Sequence, residues 1–237
     1  MTMPDSKPPS LRLDDFDVDG ALRETFERAT GHTRSTFLRR TGHAGAGVAG
    51  ALALRPAEAV AASPAPGDVA VFNFALALEY LQASFYTEAE RIGALSGALA
   101  EQATVVGAHE RAHVASFKSL LGSAAIKEPS FNFHGVTENP AAFRSTAVAF
   151  EDLAVAADKQ QAPLIQSRSY LAGALAIHSV EARHAAWIRR LAGFLPAADA
   201  FDDPQNDRRV VDIVNSTHFV TLQVPDTSTQ ASPGFTG

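Results

Sequence analysis

Apolar residues recur at alternating spacings of three and four along most of the chain between residues 68 and 194. This spacing follows one face of an α-helix, and the same region contains no sustained alternation of period two, which a half-buried strand would need. The pattern therefore predicts an all-α fold. Its four helices are expected over residues 68–91, 96–121, 140–162 and 164–194.

Residues with special backbone properties mark the ends of these helices. Asp68 is the predicted N-cap of the first helix, and Gly122 is expected to end the second. Asn139 followed by Pro140 is typical of a cap and a first-turn proline at the start of the third helix. About 17 residues separate the second helix from the third. We therefore expect two antiparallel hairpins that are joined by a long crossover.

Four glutamates stand on the apolar stripes of these helices, where core residues are expected. Each hairpin carries a lone glutamate and then a Glu-x-x-His pair: Glu110 follows Glu79 by 31 residues, and Glu181 follows Glu151 by 30. Two helical hairpins with this pattern supply the ligands of a carboxylate-bridged two-metal site in a four-helix bundle. The six-residue set consists of Glu79, Glu110, His113, Glu151, Glu181 and His184.

Electrostatics explains why the six-residue set indicates metal. Burying a carboxylate without a partner costs several kcal/mol, and few cationic side chains share the stripes that carry the glutamates. Two divalent cations would balance four carboxylates and leave both histidines neutral. We expect Glu110 and Glu181 to bridge the ions and the other members of the set to bind one ion each. Oxygen ligands with one imidazole per ion favour iron or manganese over copper.

Composition excludes several other classes of function. The net charge is −6 and no basic stripe occurs, which argues against a nucleic-acid partner. No apolar run reaches the roughly 18 residues that a membrane span needs. The chain has no cysteine, so disulfides, thiolate ligands and cysteine nucleophiles are all excluded.

Residues 1–61 read as an export segment outside the fold. A charged stretch over residues 33–40 precedes a Gly/Ala-rich run over residues 44–54 and a small-x-small cleavage pattern at residues 59–61. The segment resembles a twin-arginine export signal, although Ser35 stands where the second arginine is expected. The alternative is a disordered tail with an Ala-rich helix. Export would place the protein in the periplasm, the cell envelope or the extracellular space of a bacterium.

The remaining chain divides into the bundle, residues 62–195, and a C-terminal tail, residues 196–237. Within the tail, residues 208–215 are expected to form a short helix, and an apolar segment over residues 219–222 is expected to pack on the bundle. The last ten residues are expected to be disordered.

Four segments around the proposed ligands carry a resemblance to a known family. They are Leu78–Tyr86, His109–His113, Phe150–Ala157 and Val180–His184. Over about residues 66–195 the chain resembles the ferritin-like superfamily, and most closely the bacterial exported ferritin-like domain proteins often labelled desiccation-related. The resemblance implies a ferritin-like antiparallel four-helix bundle with a long crossover between two helical hairpins, and its six ligand positions match the six-residue set. Members often have a tyrosine where this chain has Asp158, so one half lacks a tyrosine that could take part in redox chemistry.

Other polar residues lie near the six-residue set in the helical pattern. Tyr86 follows Glu79 by two turns and either contacts a ligand, relays an electron or is a core tyrosine with a satisfied hydroxyl. His178 precedes Glu181 by one turn and is a core histidine, a neighbour of the ligands or an extra ligand. Gln82 is placed to orient Glu79, and His109 is expected at the surface.

The resemblance and the six-residue set together leave two functions open. The leading interpretation is an exported protein that uses two iron or manganese ions to oxidise Fe(II) with O2 or peroxide, or to remove peroxide, as a ferroxidase- or catalase-like enzyme. The alternative is a stress- or desiccation-related structural protein whose metal site only stabilises the bundle. The expected partners are metal ions and O2 or peroxide. A monomer or small homo-oligomer is expected, because the long tail and crossover do not suit a 24-subunit cage.

Overall fold

The computed structural model describes residues 64–223, all within one compact unit, Pro56–Gly237. Five α-helices form most of this region, and no strand occurs among the described residues. Short 3-10 turns lie at Gly122–Ala124, Val136–Glu138 and Ala162–Leu164. The helices are α1 (Pro66–Ile92), α2 (Gly97–Leu121), α3 (Pro140–Gln161), α4 (Arg168–Leu191) and α5 (Asp207–Ser216). The prediction of an all-α fold is confirmed. The export segment predicted over residues 1–61 and the tail beyond residue 223 lie outside the described residues.

The first four helices pack as two hairpins, α1 with α2 and α3 with α4. Contacts of α1 with α3 and of α2 with α4 join the hairpins into a bundle. The crossover between α2 and α3 lies against α1. The amide group of Asn73 bonds both the backbone N–H of Ile126 and the Ala124 carbonyl, each over 2.9 Å. Near the far end of the crossover, the Thr137 hydroxyl donates to Glu88 over 2.6 Å.

Two helix starts differ from the sequence prediction. Asp68 does not cap α1, which begins at Pro66. Its buried carboxylate instead accepts the backbone N–H groups of Gln166 and Ser167, over 2.8 and 3.3 Å, just before α4. Helix α4 begins at Arg168 rather than residue 164, since a 3-10 turn occupies the preceding residues. The predicted Asn139 cap is present and accepts two backbone N–H groups.

Two apolar clusters fill the bundle, and the charged residues lie between them along the helices. In one cluster Phe85 stacks on Phe143, with ring centroids 4.8 Å apart. In the other, Phe72 packs against Phe117 at 5.7 Å. Along α2, Val106 belongs to the first cluster and Phe117 to the second. The Glu-x-x-His pair of α2 falls between these two residues, so packing on either side holds it in the interior.

Leu175 follows Leu171 by four residues, a spacing that predicts the inward face of α4, and this prediction is wrong. Its neighbours Leu171, Ala174 and Ile177 pack against the second cluster, whereas Leu175 is 47% exposed. One residue corresponds to about 100° of rotation around a helix. Leu175 follows Ala174 directly and therefore points away from the face that Ala174 presents to the core.

The described part of the C-terminal region packs on the bundle. Helix α5 contacts α3 and buries Val210, Val211 and Val214. Beyond it, the side chain of Asn215 bonds both the N–H and the carbonyl of Leu222. Phe219, Val220 and Leu222 are buried in the first cluster.

None of the helices in residues 64–223 is long and apolar enough to cross a membrane.

Candidate metal centre

The four bundle helices bring the six-residue set together in the interior. Helices α1 and α3 contribute one glutamate each, and α2 and α4 contribute one Glu-x-x-His pair each. Five of the six residues are buried, and the side chain of His113 is 12% exposed. Residues three apart lie on one face of a helix, so the glutamate and histidine of each pair point to the same place. Packing of the two hairpins then brings both pairs to a common centre.

The ligand atoms form two groups, each arranged around one imidazole nitrogen. In the His113 group, Nδ1 of His113 lies 2.9 Å from Glu181 Oε1, 3.3 Å from Glu79 Oε2 and 3.4 Å from Glu110 Oε2. In the His184 group, Nδ1 of His184 lies 2.9 Å from Glu110 Oε1, 3.6 Å from Glu181 Oε2 and 3.7 Å from Glu151 Oε2. Within each group, the ligand atoms lie within 4.8 Å of one another.

Two glutamates take part in both groups. Glu110 directs Oε2 to His113 and Oε1 to His184. Glu181 directs Oε1 to His113 and Oε2 to His184. Glu79 belongs only to the His113 group, and Glu151 only to the His184 group. Each of these two carboxylates thus offers one oxygen to each group.

The protein does not satisfy these atoms by hydrogen bonding. All eight ligand atoms of the two groups are shielded from solvent, and none has a hydrogen-bond partner among the described residues. The distances of 2.9 Å are short enough, but the atoms are not aligned as donor and acceptor. Each Nδ1 carries at most one proton and faces three oxygens, so one hydrogen bond would leave the others unpaired. Buried polar groups normally have partners, and a cation in each group would provide them.

The protein's own charges partly balance one another at the centre. Burial lowers the pKa of His184, but the carboxylates of Glu110 and Glu181 outweigh it and raise that pKa to about 10. The pKa of His113 likewise lies well above its usual value, because its carboxylate neighbours outweigh the effect of burial. A metal ion at either Nδ1 would therefore have to displace a proton.

The pKa values of the carboxylates shift in opposite directions. Burial raises the pKa of Glu79 and of Glu151 well above the usual range, and the charge of Glu110 adds to the effect. Burial would also raise the pKa of Glu110, but the adjacent imidazoles of His113 and His184 lower it to about 2. Because Glu110 lies between the two histidines, its carboxylate keeps its negative charge. Glu79 and Glu151 favour the protonated form, so a cation that binds them would have to replace the proton.

Tyr86 contacts the centre from the opposite hairpin. Its hydroxyl donates a hydrogen bond to Glu151 Oε1 over 2.5 Å and accepts one from Gln102 Nε2 over 3.4 Å. Tyr86 is fully buried. Burial, followed by the charge of Glu151, raises the pKa of its hydroxyl well above the usual value. Two of the alternatives that the sequence leaves open describe Tyr86 together: it is a core tyrosine with a satisfied hydroxyl, and that hydroxyl contacts a candidate ligand.

His178 and Gln82 do not join the two groups. Nδ1 of His178 lies 3.9 Å from Asp158 Oδ2 and has no hydrogen-bond partner among the described residues. Gln82 is buried, and its Nε2 has no partner in the described region either, so the expected bond to Glu79 does not form.

His109 is the contact that the sequence reasoning missed. Although His109 is exposed, its Nδ1 lies 2.8 Å from Nε2 of His184, and the two rings stack with centroids 5.1 Å apart. The bond uses the nitrogen of His184 that faces away from the carboxylates. No spacing rule connects residues 75 positions apart. The sequence signal for this contact is that His109 directly precedes Glu110.

The arrangement can hold two cations close together in a site that largely excludes solvent. Comparison with known proteins agrees with the fold: the profile of a ferritin-like domain matches residues 67–193, more than half of the chain. A comparison with curated proteins found no match. With an all-helical bundle and a buried cluster of glutamates and histidines that could bind metal, the chain belongs to the ferritin-like domain family.

Proposed function

We propose that the six-residue set binds two divalent ions, iron or manganese, which Glu110 and Glu181 bridge. One observation carries this proposal: each of these carboxylates has one oxygen in the His113 group and one in the His184 group. Glu79 and His113 would hold one ion, and Glu151 and His184 the other. Each ion would receive three carboxylate oxygens and one imidazole nitrogen, which is a donor set suited to iron or manganese.

We further propose that the centre acts on oxygen species, by oxidising Fe(II) with O2 or peroxide or by removing peroxide. The bound ions would supply the redox chemistry and the binding of an O–O unit. The chain's own residues hold the ions, shield them from water and keep the ligands in position. Tyr86 holds Glu151 by a hydrogen bond, and His109 holds His184. Four protein donors per ion would leave positions free on an octahedral metal.

A structural role for the metal is the alternative, and one observation favours it. Each of the four bundle helices supplies a ligand, so bound ions would cross-link the whole bundle. Such a protein would gain stability from metal without turning over substrate. The two functions differ in their reaction with oxidants.

The location of the protein is a separate proposal. We propose export to the cell envelope or beyond, on the basis of the twin-arginine-like pattern in residues 1–61. Fractionation of cells that express the full chain, with determination of its N-terminus, tests this. A protein that stays in the cytoplasm with residue 1 or 2 at its N-terminus would contradict it. The expected monomer or small oligomer is checked by light scattering.

The metal proposal is tested by elemental analysis of the full chain after anaerobic loading with Fe(II) or Mn(II) and removal of free metal. We expect about two ions per chain. Glu110→Ala and Glu181→Ala should each lose nearly all of the metal. Glu101→Ala, which removes an exposed carboxylate from the same helix as Glu110, is the matched control and should keep it. A Glu110→Ala/Glu181→Ala double variant that retains two ions would overturn the assignment.

Reaction of the Fe(II)-loaded chain with O2 or H2O2 separates the catalytic role from the structural one. A fast absorbance change that repeats with each addition of Fe(II) or peroxide supports the redox function. Two bound ions that do not react with either oxidant support the structural alternative instead.

A further inference from the structure

The two halves of the bundle differ at two equivalent positions near the candidate ligands. Tyr86 lies seven residues after Glu79, and Asp158 lies seven residues after Glu151. Gly107 lies three residues before Glu110, just as His178 lies three before Glu181. The first hairpin thus has tyrosine and glycine at these positions, and the second has aspartate and histidine. We call Asp158 and His178 the uptake pair.

In the first hairpin, the two positions close off the interior. A Cβ atom on Gly107 would lie only 2.9 Å from the Cβ of Tyr86, so the absence of a side chain lets α2 pack closely against Tyr86. The tyrosine is fully buried and directs its hydroxyl to Glu151. The side chains of Glu151 and His184 are 0% and 3% exposed. The packed ring of Tyr86 therefore covers the Glu151 side of the His184 group.

In the second hairpin, the equivalent positions are polar and partly exposed. Side-chain exposure rises from 12% at His113 to 20% at Asp158 and 25% at His178. Burial raises the pKa of Asp158, and the charge of Glu181 adds to this, whereas the charge of His113 opposes it. Asp158 is therefore close enough to the His113 group to interact electrostatically with it. The uptake pair therefore combines partial exposure to solvent with proximity to this group.

The uptake pair has the chemistry of a weak cation site. Oδ2 of Asp158 and Nδ1 of His178 are 3.9 Å apart, and Nδ1 is shielded from solvent without a hydrogen-bond partner in the described region. Two ligands that are each about 2.1 Å from one cation can be at most about 4.2 Å apart, so a single ion fits between them. Burial and then the charge of Lys159 lower the pKa of His178, which keeps its nitrogen free to bind near neutral pH.

We propose that the uptake pair captures divalent cations from solvent and passes them to the His113 group. This inference depends on the proposed metal-binding function. Two protein ligands hold an ion weakly, whereas the His113 group offers four, so transfer runs inward. An ion bound for the His184 group would first pass through the His113 group, across the carboxylates of Glu110 and Glu181 that both groups share.

The test is the rate at which the metal-free full chain takes up Co(II), followed by stopped-flow absorbance, with the number of bound ions measured at equilibrium. Asp158→Asn and His178→Ala should each slow uptake by about tenfold, because a higher local cation concentration speeds association and each substitution removes one of the two groups that would hold a cation near the His113 group. The final number of ions should stay equal to that of the unmodified chain. The double variant should be little slower than either single one, because both residues serve one step.

Controls separate this inference from the proposed function. Glu101→Gln removes an exposed charge elsewhere on the bundle and should leave the uptake rate unchanged. His178→Gln, which keeps a polar side chain of similar length, is the second variant if His178→Ala unfolds. Uptake at the unmodified rate in both Asp158→Asn and the His178 variant would overturn the inference. Fewer bound ions at equilibrium in the Asp158 or His178 variants would overturn it too, because the pair would then be permanent ligands of the metal centre. Failure of the unmodified chain to bind Co(II), Fe(II) or Mn(II) would overturn the metal function itself.

Discussion

The hydroxyl of Tyr86, on α1, donates a hydrogen bond to Glu151, on α3, over 2.5 Å in a part of the bundle that solvent does not reach. The two residues belong to different hairpins. A ligand candidate from one half of the repeat is therefore held by a side chain of the other half. The hydrogen bond joins the two hairpins at the centre and positions one oxygen of Glu151, while the other oxygen points to His184.

Tyr86→Phe is expected to lower the free energy of unfolding by about 1–2 kcal/mol, because it leaves Glu151 Oε1 buried without its donor. The ring itself is kept, so its packing against Phe85 and Phe143 should change little. Urea unfolding of the chain without metal measures the effect. The decrease in the free energy of unfolding should be smaller after metal loading, because a bound ion would then interact with the Glu151 carboxylate in place of the tyrosine hydroxyl. An unchanged free energy in both forms would contradict this account of the bond.

His109→Ala is expected to weaken metal binding by about 10- to 100-fold, as is usual when the residue that orients a metal-binding histidine is removed. His109→Asn should restore most of the affinity, because its amide oxygen can accept the Nε2–H of His184. Competition with a chelator of known affinity measures both variants.

The control for His109 is His134→Ala, which removes an exposed histidine from the crossover. It should bind metal as the unmodified chain does. If His109→Ala and His109→Asn weaken metal binding equally, His109 does not orient His184 through a hydrogen bond. The effect would then come from the packing of the His109 ring alone.

Metal affinity is expected to rise with pH between about 6 and 9. Contact with Glu110 and Glu181 outweighs burial and raises the pKa of His184 to about 10, and the pKa of His113 is also well above its usual value. Below these pKa values the imidazoles are protonated, so each bound ion must displace a proton, and affinity should rise roughly tenfold per pH unit for each proton released. Calorimetry in buffers with different ionisation enthalpies counts the protons. Binding that is independent of pH and releases no protons would show that the ions do not bind at Nδ1.

Glu79→Gln is expected to stabilise the chain without metal and to weaken its response to metal. Burial and the charge of Glu110 raise the pKa of Glu79, so ionised Glu79 is unfavourable in the folded state. This penalty applies above the pKa of the folded state and disappears as the pH falls below the unfolded value. Removing the charge should raise the free energy of unfolding of the metal-free chain by about 0.5–2 kcal/mol at pH 8, as is typical when a strained functional site is relieved.

The response to metal is measured on the same variant by thermal unfolding. The unmodified chain should gain about 2.7 kcal/mol for each bound ion when free metal is at 100 times the dissociation constant. Glu79→Gln should gain less at the same metal concentration, since the His113 group has lost one of its carboxylates. A Glu79→Gln variant that is less stable without metal would indicate that Glu79 is stabilised by its neighbours rather than opposed by them.

The sequence predicts the helices well because helix formation is a local property. The three-and-four spacing of apolar residues, the Asn139 cap and Gly122 each act within a turn or two, and the observed helix bounds follow them to within four residues. The six-residue set could be picked out for the same reason. Residues three apart share one face of any helix, so Glu110 with His113 and Glu181 with His184 had to point the same way.

The relationships that define the centre depend on how the helices are rotated and packed against one another. The oxygens of Glu110 and Glu181 divide between two groups because α2 and α4 face each other across the core. The contacts of Tyr86 with Glu151 and of His109 with His184 span 65 and 75 residues. Helical periodicity gives each residue an angle around its own helix but no position relative to another helix.

The sequence by itself therefore determined which residues are helical, which face each helix buries and which charged residues lie on that face. The tertiary structure decided which of those residues meet. Asp68 illustrates the difference: its residue type predicts a cap, but the packing of α1 against the start of α4 decides which backbone amides it accepts. The same holds for the uptake pair: spacing within each helix relates Asp158 to Glu151 and His178 to Glu181, but only the packing of α3 against α4 brings the two side chains to within 3.9 Å.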